Sequence, residues 1–215
     1  MTRLLRATRP FRAEEAARYP VLIGCDEVGR GALCGPVIVA AVQFDPAALP
    51  VDLLESLDDS KRLDAAARRS IAARLPAHAR IAYAGASRAL IDRINIRAAT
   101  LDAMTRSVRR LGLAGPVAVD GRDRPPGLEG RVRAVIGGDR LVPQIAAASI
   151  LAKVMRDRLM TVLARRHPAY AWERNVGYGT AAHRAAMLRE GPSPHHRRSF
   201  RVGGALWHNG PPEPP

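Results

Sequence analysis

The sequence predicts an α/β domain that contains five strands and ends in a helical extension. Three observations support this prediction: short apolar runs rich in β-branched residues, helical patterns of apolar residues between some of these runs, and a long helical pattern after the last of them. Strands therefore come mostly early and helices late, with helices also between strands. This order is typical of a sheet covered by helices.

Five segments have the length and composition of strands. The first, VLIGCD (21–26), is an apolar run that ends at an acid. The second, VIVAAVQF (37–44), follows a glycine-rich stretch, so we expect two strands joined by a tight loop. The other three predicted strands, of which the last is shorter and ends before two glycines, cover residues 80–84, 116–120 and 131–136.

Four segments have the apolar spacing of helices. Asp64 is a candidate N-cap for a helix over 64–75, which Pro76 follows. The next helical segment carries an apolar stripe on one face, and the third is the longest of the four. These remaining predicted helices cover residues 96–111, 145–163 and 180–189.

The composition predicts a folded and strongly basic domain. The chain has 215 residues, with 34 lysines and arginines against 20 aspartates and glutamates, so its formal net charge is +14. A chain of this length buries roughly 70% of its unfolded surface, so it needs no disulfide or metal to stabilise its core. The positive charge favours a polyanionic partner, because each neutralised phosphate releases counterions. The alternative is a compositional preference for arginine, since only Lys61 and Lys153 are lysines.

We expect four parts in the chain, and a monomer that acts in the cytoplasm. Cys25 and Cys34 fit neither a zinc-site spacing nor a disulfide framework and are predicted to be free thiols. No signal peptide and no apolar run of the ~20 residues needed to span a membrane is found, so no membrane is expected. The four parts are an arginine-rich extension (1–20), the sheet domain (21–165), the helical extension (166–202) and a Pro/Gly-rich tail predicted to be disordered (203–215).

Four acidic residues lie at or near predicted strand ends. Asp26 ends the first strand and adjoins Glu27, Asp120 ends the fourth, and Asp139 follows the fifth after two glycines. Sheets of α/β proteins form their sites at such strand ends. Clustered carboxylates repel one another unless a cation neutralises them, and hard ions such as Mg²⁺ prefer oxygen ligands. Two such ions can activate water and stabilise the leaving oxygen in phosphodiester cleavage. The alternative is that each acid caps a strand or turn.

The loop DEVGRGALCGP (26–36) carries a second candidate function. Gly29 and Gly31 permit close approach of the backbone to a ligand, and Arg30 between them offers a fork that fits phosphate. A dinucleotide-binding fingerprint is excluded, because the glycine spacing differs by one residue and the two preceding acids would repel a pyrophosphate.

The stretch IGCDEVGRGALCGPVIVAAV (23–42) closely resembles the opening motif of the prokaryotic type 2 ribonucleases H, the ribonuclease HII family. Seven further blocks resemble the family in the same order, so the resemblance covers about 21–200. The sister family, ribonuclease HIII, is disfavoured because the short segment before the first strand leaves no room for its extra N-terminal domain. The seven blocks are DDSKRL (58–63), IDRINIRAATLDAM (91–104), VDG (119–121), GD (138–139), IAAASILAKVMRDR (145–158), NVGYGTAAH (175–183) and HRRSF (196–200).

The resemblance implies a fold and an activity. The fold is ribonuclease H-like, a mixed five-stranded sheet flanked by helices, with 21–165 as the catalytic domain and 166–202 completing the substrate site. The implied activity is hydrolysis of RNA in RNA:DNA hybrids and cleavage 5′ of ribonucleotides embedded in duplex DNA, which leaves 3′-hydroxyl and 5′-phosphate ends. The implied catalytic acids hold two divalent ions, Mn²⁺ or Mg²⁺, and correspond to Asp26, Glu27, Asp120 and Asp139.

The resemblance also implies a set of residues that bind substrate. Gly29, Arg30, Gly31 and Tyr178 correspond to the residues that sense the 2′-hydroxyl, the one group that distinguishes ribose from deoxyribose. A tyrosine that packs in a turn is the alternative for Tyr178.

Two further pairs are candidates beside the site. Ser60 and Lys61 follow two acids in a loop, and Lys61 is predicted to contact a backbone phosphate, the alternative being a solvated lysine. Lys153 and Asp157 share one face of the long helix and are assigned a supporting role near the metals, with an ordinary helical ion pair as the alternative.

Two other function classes fit the same residues less well. A non-catalytic nucleic-acid-binding protein would not need all four acids. Another nuclease of the same fold, acting on DNA branches or ends, would cut all-DNA substrates, which the residues that sense the 2′-hydroxyl argue against.

Overall fold

The computed structural model describes residues 21–58, 60, 62–202 and 205–206. The predicted extension 1–20, the loop residues Asp59 and Lys61, and most of the predicted tail lie outside the described residues. The division of the chain into four parts therefore stays a prediction.

The described chain forms a mixed five-stranded sheet in the order β3-β2-β1-β4-β5. β1 pairs with β2 antiparallel and with β4 parallel, and the two edge strands continue these patterns. The α/β fold class and the five strands are confirmed. The strands are β1 (Ile23–Val28), β2 (Val37–Gln43), β3 (Arg80–Ala86), β4 (Val117–Asp120) and β5 (Val132–Val135), and a separate ribbon consists of β6 (Arg201–Val202) and β7 (Ala205–Leu206).

All four predicted helices form, with small differences at their ends. Asp64 caps one of them as predicted, because its carboxylate accepts the N–H of Ala67 at 2.7 Å. Three shorter helices were not predicted, since segments of four to seven residues carry too little periodicity to detect. The helices are α1 (Val51–Glu55), α2 (Ala65–Arg74), α3 (Arg88–Ile94), α4 (Ile96–Leu111), α5 (Pro143–Arg166), α6 (Trp172–Asn175) and α7 (Ala181–Glu190). None of these helices in the described part of the chain is long and apolar enough to cross a membrane.

The sheet lies between α5 on one face and α4 on the other. Side chains alternate along β1, so that Ile23 and Cys25 pack in the cluster that contains α4. Gly24 faces α5, and a side chain there would overlap the backbone of Gln144. The first half of α5 therefore lies directly against β1, and its small buried residues allow this approach. By the same alternation Asp26 lies on the α5 face.

Two predictions about the first strand are wrong in detail. β1 does not end at Asp26 but continues to Val28, because its antiparallel pairing with β2 extends to Val28 opposite Ile38. Only the pairing with β4 stops before Asp26, at Cys25 opposite Val119. The connection to β2 is also not tight, since it covers eight residues, 29–36. The acid thus sits where the parallel pairing ends, inside a longer strand.

Candidate active site and nucleic-acid-binding loop

Three of the four predicted acids line one cavity of about 440 Å³. Asp26 and Glu27 come from β1, and Asp120 comes from the end of the neighbouring parallel strand β4. Asp26 is almost completely buried, with 6% of its surface exposed. The parallel pairing of β1 and β4 therefore brings these carboxylates together although they are far apart in sequence.

Asp139 lies in the short turn Gly138–Arg140 that follows β5. It is 7% exposed, and the N–H of the preceding Gly138 donates to Oδ1 of Asp120 at 2.7 Å. This bond places the turn beside Asp120. Asp139 is nevertheless not among the described residues that line the cavity, so the structure puts the turn that carries the fourth acid beside Asp120 and not in the cavity wall.

The clustered acids are electrostatically unfavourable without a counter-charge. Burial, followed by repulsion from Glu27 and Asp120, raises the pKa of Asp26 well above its ordinary value. The pKa of Glu27 is raised as well, mainly by burial. The charge of Arg30 opposes this shift, and repulsion from Asp120 adds to it. All of the oxygens offered to the cavity by these residues are carboxylate oxygens, the donor type that Mg²⁺ and Mn²⁺ prefer. The residues present therefore fit one or more hard divalent cations.

The Gly-Arg-Gly loop lines the same cavity beside the acids. Gly29 has a φ of +89°, a conformation that L side chains rarely adopt. A Cβ at Gly31 would meet nothing within 4 Å, so this residue faces open space. Among the described residues, the backbone N–H groups of Arg30 and Gly31 have no hydrogen-bond partner. The loop thus presents two free N–H donors and the Arg30 guanidinium beside the carboxylates.

A buried arginine from the end of the described chain holds this loop. Arg197 is 2% exposed and donates to three loop carbonyls, those of Gly29 at 2.7 Å, Arg30 at 2.9 Å and Gly35 at 3.0 Å. Burial is the main cause that lowers the pKa of Arg197, to about 10, so the side chain stays charged at neutral pH. The carbonyls of Gly29, Arg30 and Gly35 are therefore satisfied by the protein and are not needed by a ligand.

A second buried arginine, Arg156 of α5, supports the loop from the other side. It donates to the carbonyls of Cys34 and Pro36, both at 3.1 Å, and of Val176 at 2.8 Å. A side chain at Gly29 would overlap Arg156, so only glycine fits there. Sequence reasoning missed both arginines, because in so arginine-rich a chain nothing local distinguishes a buried arginine from an exposed one.

Tyr178 lines the cavity, at a turn of the C-terminal extension. The guanidinium of Arg156 lies 5.5 Å from the centre of its ring, within the range of a cation–π contact. The turn is bonded to the glycine-rich loop, since the N–H of Leu33 donates to the carbonyl of Gly177 at 2.8 Å. The predicted sensor residues Gly29, Arg30, Gly31 and Tyr178 therefore share one cavity with the acids.

The family of the chain follows from comparison with known proteins. The family model of ribonuclease HII matches residues 23–202. The chain belongs to the ribonuclease HII family. Ribonuclease HII of Paramagnetospirillum magneticum is 54% identical over 180 residues, which cover 84% of this chain and 90% of that protein. Ribonuclease HII of Xanthobacter autotrophicus is 52% identical over 184 residues, 85% of this chain and 72% of that protein.

Solved structures agree with this assignment to ribonuclease HII. A chain in the PCNA:RNase HII complex from Archaeoglobus fulgidus is 25% identical, with a TM-score of 0.71 over 85% of this chain and 96% of that one. Bst-RNase HIII in complex with Mn²⁺ shares the fold at 21% identity, with a TM-score of 0.63 over 82% of this chain and 63% of that one. As a member of the ribonuclease HII family, the chain is a metal-dependent endoribonuclease of the ribonuclease H class.

The remaining predicted residues of this ribonuclease HII are placed unequally. Ser60 lines the cavity, and its hydroxyl lies 2.9 Å from that of Ser149 on α5. Lys153 lines the cavity too and forms an ion pair with Asp157 at 2.7 Å, whereas Asp157 does not line it. Lys153 and Asp157 thus form the helical ion pair that was the alternative interpretation. The supporting role of these two residues near the metals stays a prediction. Lys61 lies outside the described residues.

An ion-pair chain that sequence reasoning missed leads away from the acids. Arg30 contacts Glu27 at 3.5 Å and Asp123 at 3.7 Å, and Asp123 in turn pairs with Arg97 at 2.6 Å. The arginine of the loop is therefore shared between a cavity carboxylate and a carboxylate outside the cavity. No sequence signal marks Asp123, since it lies in a turn rich in charged residues.

Cys34, His183 and His196 lie close enough to bind a metal, but the hydrogen bonds oppose this. The indole N–H of Trp172 can only donate, so Nε2 of His183 accepts at 3.0 Å and its Nδ1–H donates to the carbonyl of Tyr178. Nδ1 of His196 accepts a backbone N–H at 2.8 Å, so its Nε2 carries the hydrogen and shares, with the indole N–H, the one lone pair on Nε2 of His183. Burial lowers the pKa of His196 to about 4, which keeps it neutral. The cluster is thus a neutral packing network that holds Tyr178.

Proposed function

We propose that this ribonuclease HII cuts a duplex on the 5′ side of an embedded ribonucleotide, in addition to acting on RNA:DNA hybrids. It acts as a monomer, leaves 3′-hydroxyl and 5′-phosphate ends, and uses two divalent ions, Mn²⁺ or Mg²⁺. The observation that carries the proposal is the shared cavity: the loop residues Gly29, Arg30 and Gly31 and the side chain of Tyr178 line it together with three carboxylates. Sugar recognition and cleavage then occur at one nucleotide.

The acids supply the metal site in this proposal. Asp26, Glu27 and Asp120 offer carboxylate oxygens to the cavity, and Asp139 stands beside Asp120. When bound, divalent ions supply the Lewis acidity that activates water and stabilises the departing oxygen. The protein fixes the acids by burial and by the pairing of β1 with β4, so their geometry does not have to form during the reaction. Arg30 must be shared between Glu27 and the substrate, because it already contacts that carboxylate.

The loop supplies the sugar selectivity. Arg197 occupies the carbonyls of Gly29 and Arg30, whereas the N–H groups of Arg30 and Gly31 are free among the described residues. These donors can bind a 2′-hydroxyl oxygen or an adjacent phosphate oxygen, and deoxyribose offers no 2′-oxygen. Arg30 and Gly31 are both exposed, so water can satisfy these donors in the free protein. Bound substrate would cover them, and because a covered donor without a partner costs free energy, such a site discriminates against the sugar that lacks the hydroxyl.

The test is cleavage of end-labelled duplexes resolved on a gel. Three substrates are compared with and without Mg²⁺ or Mn²⁺: a DNA duplex with one ribonucleotide, the same duplex of DNA only, and an RNA:DNA hybrid. We expect one metal-dependent cut 5′ of the ribonucleotide and an intact all-DNA control. Cleavage of the hybrid alone would refute the proposed sugar recognition and leave the family activity in place. Binding without cleavage of any substrate would favour the non-catalytic protein.

Tyr178→Phe removes the hydroxyl of this side chain and keeps its ring, so it distinguishes the contribution of the one from that of the other. The phenylalanine ring keeps its position beside Arg156, whose guanidinium lies 5.5 Å from the ring centre. We expect cleavage at a single ribonucleotide to fall about tenfold, the value of one hydrogen bond of about 1.4 kcal/mol, with a smaller effect on a long hybrid that offers many 2′-hydroxyls. The measurement is kcat/KM on both substrates. An equal loss on both would contradict a role in recognising the single ribonucleotide.

A further inference from the structure

A groove outside the catalytic cavity runs between α2 and α5. Its volume is about 570 Å³, larger than that of the cavity that holds the acids. Four of its lining side chains are arginines, and only one is an acid, Asp157. The arginines are Arg68, Arg69, Arg158 and Arg165.

Three of these arginines form no ion pair among the residues that the structure describes, although Asp64 lies near enough to Arg69 to interact with its charge. Arg69, Arg158 and Arg165 are exposed and form none of the ion pairs found there. The acid Asp157 is already neutralised by Lys153 at 2.7 Å. Arg68 differs from them, since it donates to the carbonyl of Ser60 at 2.6 Å and so holds a residue that lines the cavity. The groove therefore carries uncompensated positive charge, which favours a polyanion.

The groove continues the catalytic cavity along one face of α5. Lys153 lines the cavity, and its partner Asp157, one turn later, lines the groove. Farther along, groove residues recur every three or four positions, so they form one stripe on the helix. From Lys153 to Arg165 the helix rises about 18 Å, the length of about five base pairs at about 3.4 Å per step. The stripe consists of Val154, Arg158, Thr161 and Arg165.

We propose that this groove binds the phosphate backbone of the substrate duplex on one side of the cleaved nucleotide. The inference rests on the proposed function, because it takes the cavity as the place of cleavage. A nucleic acid is the partner that fits, since a strand held at the cavity continues for many phosphates and must leave it across a neighbouring surface. The free guanidinium groups of Arg158 and Arg165 then contact successive phosphates, with Arg69 on the opposite wall.

The test uses duplexes with one long arm, on either the 5′ or the 3′ side of a central ribonucleotide, and a short opposite arm. Binding is measured by fluorescence anisotropy in the Asp120→Asn background, which prevents turnover, over a series of salt concentrations. The variants are Arg158→Gln, Arg165→Gln and their combination. The control is Arg80→Gln, an exposed arginine at the start of β3, at the end of the sheet remote from the acids.

We expect the double variant to bind one of the two one-armed duplexes about tenfold more weakly, and the other less than twofold more weakly. The plot of the logarithm of the binding constant against the logarithm of the salt concentration has a negative slope. Its steepness should decrease by about 0.9 for each phosphate that the variant no longer neutralises. Arg80→Gln should change neither the affinity nor this slope. Equal decreases on both duplexes, or decreases no larger than those of Arg80→Gln, would overturn the proposal. An RNA:DNA hybrid with the same arms serves as a second probe, so the groove can be tested even if cleavage at a single ribonucleotide fails.

Discussion

Asp120→Asn will reduce cleavage by about a thousandfold or more while the protein stays folded and still binds duplex. The carboxamide oxygen can still accept the N–H of Gly138, which donates to Asp120 at 2.7 Å in the structure. The substitution removes the negative charge, however, and a neutral amide is a poorer ligand for a hard cation. A loss of about 4 kcal/mol of transition-state stabilisation corresponds to about a thousandfold in rate. The measurement is single-turnover cleavage of the ribonucleotide-containing duplex.

Metal binding gives this prediction a second readout. Asp120 raises the pKa of Asp26 and Glu27 by repulsion, so its neutralisation relieves strain in the metal-free protein. The melting temperature of the metal-free variant should therefore equal or exceed that of the wild type, and Mn²⁺ should raise it less. The matched control is Asp102→Asn, which removes a carboxylate from an exposed pair with Arg106 on α4. Wild-type cleavage rates in Asp120→Asn would refute the metal-site assignment.

Gly29→Ala and Gly31→Ala will differ sharply although they flank the same arginine. At Gly29 the φ of +89° is unfavourable for alanine, and the new methyl group would overlap the buried side chain of Arg156. We expect a loss of about 3 kcal/mol in the free energy of unfolding, from backbone strain and overpacking together. At Gly31 nothing lies within 4 Å, so the free energy of unfolding should change by less than about 0.5 kcal/mol.

The two variants also separate folding from binding. Denaturant unfolding measures the stability of each, and gel cleavage measures activity. Because Gly31→Ala leaves the free protein intact, any loss of cleavage in that variant reports a methyl group between the loop and the substrate. The interpretation of the loop fails if Gly29→Ala is as stable as Gly31→Ala.

The parts of the fold with local signals could be predicted from the sequence. Helix α4 matches its predicted range, 96–111, because Asn95 caps its start and Gly112 takes up the left-handed conformation just after its end. The acids were likewise singled out because they lie at or just after the ends of predicted apolar strands, and their role stays a prediction. Asp26 was singled out although its strand is longer than predicted, and the structure places it just after the parallel pairing of β1 with β4 ends.

The contacts that support the site could not be predicted, because they join distant parts of the chain. Arg156 and Arg197 became identifiable only through burial and through the carbonyls that they bind. The same holds for Asp123, whose partners Arg30 and Arg97 come from two other segments. A single sequence contains the residue types of such contacts but not their pairing.

The bonds from Arg197 to the loop have a consequence for synthesis of the protein. The arginine lies 168 positions after Gly29, whose carbonyl it binds. During translation the acids of β1 and β4 leave the ribosome well before this arginine does. A nascent chain can therefore assemble its sheet while the loop proposed to select the sugar still lacks the arginine that binds its carbonyls. Under the proposed function, the enzyme acquires its sugar selectivity only when the last part of the catalytic fold has been made. A chain that stops before Arg197 would carry the acids beside a loop that lacks these three bonds.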